Sequence, residues 1–214
     1  MAEDRARQLR EQLLAFMDEH VYPNEHRYHE ELNALPDRFS TVPVMEQLKA
    51  KAREAGLWNL WMPADHGGLS NVEYCPLAEI MGRVLWSPEV FNCNAPDTGN
   101  MEILLEYGTE AQKARWLRPL LEGEIRSCFS MTEPDVSGAD PTGLRTSAVL
   151  EGDEWVINGH KWFTSGAIGA RFAIVMVVTN PKGAPHERAS MIIVPTDAPG
   201  FRLTRPVSVM GHVG

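Results

Sequence analysis

Apolar positions in the first 125 or so residues recur at helical spacing. Leu9, Leu13, Phe16 and Met17 follow at intervals of four, three and one, which puts them on one stripe of an amphipathic helix, and Pro23 stands just past its expected end. A second helix is predicted over 44–54, with Gly56 as its stop. Gly67-Gly68 reads as a loop, after which helical spacing returns over 72–85 and again over 100–107, where Gly108 breaks it. Thr109 followed by Gln112 forms a capping box. The helix it opens should run to about Leu121, with Pro119 disturbing the last turn and Gly123 following. Beyond Gly123 the texture changes. A short apolar run over 127–131 and a turn-rich stretch over 133–143 lead into strand-like runs at 145–150, 155–157, 160–164, 172–179, 190–194 and 201–204. Asn158-Gly159 is the dipeptide that most favours a type I′ hairpin, since both residues accept positive φ, and Gly152-Asp153 marks the turn before it. A helical half followed by a strand half predicts an α+β fold. The expected division is a helical domain over 1–124 and a β domain over 125–214, with neither repeats nor low-complexity segments.

Length and charge narrow the function classes. A chain of 214 residues can close one large or two modest cores, and 43% hydrophobic with 23% charged residues excludes global disorder. The net charge of −9 argues against binding a nucleic-acid backbone. No apolar run approaches the roughly 18 residues of a membrane span, and the opening residues lack the apolar core of a secretory signal. The expectation is a soluble, acidic, intracellular protein. Cys75, Cys93 and Cys128 form no C-x-x-C pair and read as buried reduced thiols.

Most chemical signatures are absent. The chain holds no G-x-G-x-x-G after a strand, no phosphate-binding loop motif, no H-E-x-x-H and no G-x-S-x-G. Glu25-His26 and His29-Glu30-Glu31 include positions that share a helix face, but without further ligands they read as a solvated polar segment rather than a metal site. Two stretches are informative: Phe129-Ser130-Met131-Thr132-Glu133-Pro134 and, some thirty positions later, Trp162-Phe163-Thr164-Ser165. Each begins apolar and ends in small hydroxyl-bearing residues. Fixed backbone groups beside a flat tryptophan wall suit a planar heteroaromatic ligand, whereas a core Trp and a strand-ending Thr is the simpler alternative on periodicity alone.

The wording of several segments is similar to the acyl-CoA dehydrogenase family. The resemblance runs through Met62-Pro63 and Gly67-Gly68, the segment 107–124, Met131-Thr-Glu-Pro134 with Asp140, the segment 152–161, and Trp162-Phe-Thr-Ser-Gly-Ala167. The last of these, with Asp97-Thr-Gly-Asn-Met-Glu102, leans toward the branch of kinase-fused animal members and bacterial relatives. The resemblance implies an N-terminal helical domain, a middle β-barrel-like domain and a C-terminal four-helix bundle, with this chain stopping before the bundle. It implies FAD as cofactor and α,β-dehydrogenation of an acyl-CoA thioester to the trans-2-enoyl-CoA, as in fatty acid β-oxidation. Electron-transfer flavoprotein or a similar acceptor, and a homodimer or homotetramer, are the implied partners. The implied compartment is the cytoplasm in a bacterium, or the mitochondrial or peroxisomal matrix in a eukaryote.

Residue by residue, the resemblance assigns Phe129, Met131 and Thr132 to the strand along the flavin edge, with the Thr132 backbone and hydroxyl both available to the ring. It puts Trp162 on the flavin, Thr164 near N5, and Phe163 and Ser165 in the adjoining cofactor contacts. Where the family has Gly-Ser-Asp after Thr-Glu-Pro, this chain reads Asp135-Val-Ser-Gly-Ala-Asp140, so either Ser137 or Gly138 takes the serine's place against CoA or pyrophosphate. Asn100 is assigned to the acyl tail. No glutamate matches the family's catalytic base, and Glu133 reads as structural. Little or no turnover is therefore expected of these 214 residues alone. A flavin- or acyl-CoA-binding subunit completed by another chain, and a flavin oxidase or monooxygenase on the same scaffold, are the alternative readings.

Overall fold

The computed structural model describes residues 2–210 and 212–213. The chain forms two compact units, residues 1–99 and 100–214.

The first unit is helical. Helix α1 spans Ala2–Phe16 and continues through a π turn, Met17–Val21, and a 3-10 turn, Tyr22–Asn24, into α2, Glu25–Ala34. Leu13, Phe16, Met17 and Val21 are buried, as the apolar stripe requires, and the Phe16 and Phe91 rings meet edge-on at 5.3 Å. Pro23 does not end the helical path. It sits in the first turn of the 3-10 segment, where the proline's missing N–H costs nothing. Helix α3, Pro43–Glu54, buries Val44, Met45, Leu48 and Ala52, and the chain leaves it through Gly56 at φ +70°. Val42 at its N-cap has no side-chain acceptor to offer. Glu31 of α2 takes that role, accepting from the Val44 N–H at 2.6 Å while pairing with Arg27 at 2.7 Å. His26 pairs with Glu30 at 3.2 Å, so the His/Glu-rich segment is a laced polar helix face. Helix α4, Asn71–Met81, opens on a Ser70/Glu73 capping box and stops at Gly82, short of the expected residue 85. Cys75 on this helix is exposed, against the expectation of three buried thiols, while Cys93 and Cys128 are buried. A short α5, Ser87–Val90, follows.

Gly68 packs where no side chain fits. Its N–H donates to Pro63 and the Leu69 N–H donates to Met62, each at 2.9 Å, and an added Cβ would overlap the Met62 carbonyl. Gly68→Ala is expected to destabilise this unit by about 1–3 kcal/mol through overpacking. A lowered urea midpoint at unchanged slope is the readout; an unshifted midpoint would mean that the loop gives way freely.

Helix α6, Asp97–Tyr107, crosses the unit boundary and ends where Gly108 approaches the Leu104 carbonyl. The Thr109/Gln112 capping box is present, with both reciprocal bonds formed. It opens α7, Glu110–Gln112, which passes through a π turn, Lys113–Leu117, into α8, Arg118–Leu121. Pro119 lacks the N–H that would continue the ladder, which is the disturbance the sequence predicted.

A five-stranded sheet fills the rest of the second unit. Its strands are β1, Arg126–Ser130; β2, Ser147–Glu151; β3, Glu154–Asn158; β4, Ala170–Val178; and β5, Ala189–Pro195. The nine residues of β4 are almost continuously buried and form the centre. β5 pairs antiparallel along one edge, and β1 pairs parallel along the other, from Arg126 to Ser130. β2 then meets that same edge beyond the end of β1, through Ser147 opposite Val178. Cys128, Ala148, Ala173, Val175 and Val177 pack the core of this sheet. A further pair, β6 at Ser208–Val209 and β7 at His212–Val213, closes the described chain. Among the described residues no helix is long and apolar enough to cross a membrane.

Three strand-level expectations are corrected. The tight hairpin lies at Gly152-Asp153, with Gly152 at φ +64° closing the Glu151–Glu154 pair, and not at Asn158-Gly159. Gly159 serves close approach instead: a Cβ there would strike the Thr146 side chain. Residues 160–164 form no strand, because the chain turns away from extended conformation at Phe163, φ +50°. Residues 201–204 also join no ladder, and Leu203 is half exposed.

Candidate functional site

The break between β1 and β2 along β4 leaves backbone groups that no strand can satisfy, and the side chains of Glu133 and Lys161 satisfy them. One Glu133 carboxylate oxygen accepts the Arg145 N–H and the other the Thr146 N–H, each at 2.8 Å. The Lys161 ammonium donates to the Met131 carbonyl and to Glu133, again at 2.8 Å. Both side chains are nearly sealed, at 5% exposure for Glu133 and 10% for Lys161. Burial alone would raise the Glu133 pKa, but Lys161 and the Thr146 and Arg145 donors reverse it and hold the carboxyl at about 2. Burial pulls the Lys161 ammonium below its ordinary value, and Glu133 offsets that only in part. Glu133 is thus ionised at neutral pH and braces the gap; the sequence reading has it only as structural.

This brace presents the two informative stretches to each other. The Trp162 N–H donates to the Thr132 carbonyl at 3.1 Å, and the Thr132 hydroxyl donates to the Trp162 carbonyl at 2.7 Å. The hydroxyl expected to be free therefore spends its proton on Trp162 and keeps only its lone pairs for another donor. Gly138 lies against this pair, since a Cβ there would sit 3.1 Å from the Thr132 methyl. Trp162 and Phe163 hold their rings 4.7 Å apart at 54°, and they remain 38% and 51% exposed. Two large exposed aromatics at the end of a braced loop are costly unless something covers them. They line a recess of about 780 Å³ together with Thr164, Ser165 and residues 200–207.

The structure thus brings together Thr132, Gly138, Trp162, Phe163, Thr164 and Ser165. Phe129 is half-buried within β1 opposite Ile174, Met131 is half-buried with its carbonyl taken by Lys161, and Ser137 is exposed on the turn after Pro134. Asn100 stands elsewhere, 1% exposed on α6, its amide donating to the Ser127 hydroxyl at 2.8 Å and the Cys128 carbonyl at 3.1 Å. Sequence reasoning missed Lys161, although a lone lysine beginning an apolar run was the available signal. It also missed the contribution of residues 200–207, since 201–204 read as a strand whereas the chain there is irregular and lines the recess.

Two family models between them cover nearly the whole chain. Residues 3–124 match the model of the acyl-CoA dehydrogenase N-terminal domain, and residues 128–214 match that of the middle domain. The chain belongs to the acyl-CoA dehydrogenase family. Among similar curated proteins, mouse acyl-CoA dehydrogenase family member 10 is 50% identical over 96% of this chain and 20% of its own length. The Mycobacterium tuberculosis protein named "Probable acyl-CoA dehydrogenase FadE2" is 49% identical over 94% of this chain and 50% of its own. A solved candidate acyl-CoA dehydrogenase from Mycobacterium abscessus superposes with a TM-score of 0.89 at 48% identity, covering 97% of this chain and 54% of that one. A glutaryl-CoA dehydrogenase from Mycobacterium smegmatis, solved in complex with FADH2, superposes with a TM-score of 0.71 at 26% identity, covering 95% and 48%. This acyl-CoA dehydrogenase family member spans about half the length, or less, of these relatives. Both animal and bacterial members of the branch indicated by the sequence are among them.

Proposed function

We propose that the protein to which this chain contributes is a FAD-dependent acyl-CoA dehydrogenase, converting an acyl-CoA thioester to its trans-2-enoyl-CoA. The observation that carries the reading is the braced Thr132–Trp162 junction, which holds exposed aromatic rings and hydroxyls against one recess in a member of this family. Residues 1–124 are its N-terminal helical domain and residues 125–214 its middle domain.

The residues present fit a flavin. An exposed indole and phenyl pair offers a flat apolar wall, Gly138 permits close backbone approach, and the Thr132 oxygen has lone pairs for a ring N–H. FAD, when bound, supplies the acceptor for the hydride that leaves the β-carbon. The part of this chain is to bind and orient. Trp162 and Phe163 exclude water from one side, Thr164 and Ser165 offer donors at the loop end, and Phe129 and Met131 support the strand beneath. Gly138 or Ser137 faces the phosphate-bearing portion of a ligand. Glu133 is no base for the α-proton, because a carboxylate held near 2 by buried donors has little affinity for one. The base lies outside these residues. Electron-transfer flavoprotein or a similar carrier is the proposed acceptor, and a homo-oligomer the proposed assembly.

The test is the visible spectrum of the full-length protein before and after adding acyl-CoAs of varied length and branching. A flavin band that bleaches with one thioester class is the expected result. A flavin band indifferent to every thioester would leave only a binding role, and rapid reoxidation by oxygen would favour an oxidase.

A further inference from the structure

Strand alternation gives the β2–β3 hairpin two different faces. Ala148 and Ile157, paired across it, pack on the core of the sheet, and Leu150 and Trp155 continue that side. The pairs Ser147–Asn158, Val149–Val156 and Glu151–Glu154 point the other way. The alternation extends back to Arg145, since Arg145 and Ser147 line a second recess of the sheet unit while Thr146 lines the first. The hairpin leaves the sheet early. β2 pairs with β4 only at Ser147 opposite Val178, and beyond it Val149 and Val156 are 57% and 47% exposed.

The charges on this outer face are segregated. Glu151 and Glu154 stand directly opposite each other at the tip, with Asp153 in the turn between them, and like charges so placed weaken a hairpin. All three are exposed and have no hydrogen bond or ion pair from their side chains among the described residues. Arg145, at the base, is also exposed. Its backbone N–H donates to Glu133, and its guanidinium has no partner among the described residues. The face thus runs from a free cation through Ser147, Asn158 and two exposed valines to free carboxylates. Arg145 and Glu151 are six positions apart, about 20 Å along an extended chain, so they cannot meet within one copy. A second copy turned end for end brings cation and carboxylates together twice.

We infer that this face is a contact between two copies of the chain, packed antiparallel about a two-fold axis, with Val149 and Val156 at its centre and Arg145 of each copy on Glu151 and Glu154 of the other. A patch that is basic at one end, apolar in the middle and acidic at the other is self-complementary under a two-fold rotation, as an isologous contact requires. The pairing offsets the repulsion between the glutamates and covers the valines. It gives a surface to the homo-oligomer proposed above and needs no part of the dehydrogenase chemistry. The hairpin is small beside the roughly 800 Å² per partner of a stable interface, so a probe of the contact itself decides the matter better than a count of subunits.

The test is carbodiimide cross-linking of the full-length protein carrying Arg145→Lys, which puts an amine where the guanidinium stands. Residues 145 and 151 are too far apart in one copy for a zero-length link, so a link between them joins two copies. A 145–151 or 145–154 linkage in a species of twice the chain mass is expected, with a yield that falls as salt rises. Adding Val156→Asp should lower that yield at least tenfold. Val156 is half exposed, so this variant should keep its fold, and Val149→Asp repeats the test from the other strand. Tip carboxylates linked only to lysines elsewhere in the longer protein, or to another protein, would overturn the second copy as occupant. Absence of any link at position 145 would mean that the acidic tip only keeps an apolar arm from pairing with other chains, and would overturn the inference. An unchanged yield in both aspartate variants would overturn it as well. Bleaching of a flavin band by a thioester is read separately, so failure here leaves the dehydrogenase reading standing.

Discussion

Replacing Glu133 by alanine is expected to cost the sheet unit about 3–5 kcal/mol, enough to unfold a marginal domain. The substitution strands a nearly sealed Lys161 ammonium and leaves the Arg145 and Thr146 N–H groups without acceptors. Lys161→Met should cost less, since Glu133 would keep its two backbone donors and the apolar stem would still fill the space. The two partners value their contact differently, because burial leaves the lysine net lowered while the carboxyl is held far down. The carboxylate is the better guide, as its backbone donors act on it alone. Its folded pKa of about 2 lies below the ordinary 4.5, so its contribution is fully present above pH 4.5 and disappears as the pH falls toward 2. That window is worth roughly 3 kcal/mol. Urea unfolding of wild type, Glu133→Ala and Lys161→Met at pH 7, and of wild type between pH 2 and pH 7, measures these effects. Wild-type stability that stays flat from pH 5 to pH 2.5 would contradict the brace.

The second large effect concerns ligand affinity. In the full-length protein, Trp162→Ala is expected to weaken FAD binding tenfold or more, as loss of a stacking wall costs about 1–3 kcal/mol. Trp162 keeps its backbone bonds to Thr132 in this variant, so the loop should hold its path while losing its ring. Val149→Ala, an exposed position on β2 outside that recess, is the control and should leave affinity unchanged. Retention of bound flavin through gel filtration and the recovery of FAD fluorescence on dilution report the difference. Equal retention by both variants would remove Trp162 from the cofactor wall. Phe163→Ala should act in the same direction, since it removes the second ring of the wall.

The helical half was legible because its signals are local. The stripe from Leu9 to Met17, the Thr109/Gln112 capping box and the disturbance at Pro119 all depend on residues within a turn or two of one another, and each reappears in the structure. Where local reading failed, a partner distant in sequence had intervened. Gly159 looked like a hairpin glycine and is instead a contact surface for Thr146, thirteen positions earlier. Trp162 to Ser165 looked like a strand end, yet Trp162 is tied to Thr132 and the chain reverses at Phe163. The site itself was named from motif wording, which carries the identity of its residues but not their connections.

The sequence by itself determined the order of helical and β halves, the principal helices and strands, the family, and the candidate residues on the two informative stretches. These follow from periodicity, capping and wording, none of which requires knowing what lies across the fold. Only the tertiary structure decided that Glu133 and Lys161 brace the gap between β1 and β2, that the Thr132 hydroxyl is already engaged, and that Arg145 and Thr146 face different recesses. A buried charge is tolerated only where its partners converge in space, and convergence of residues 131, 133, 145, 146 and 161 is a property of the strand pairing around β4.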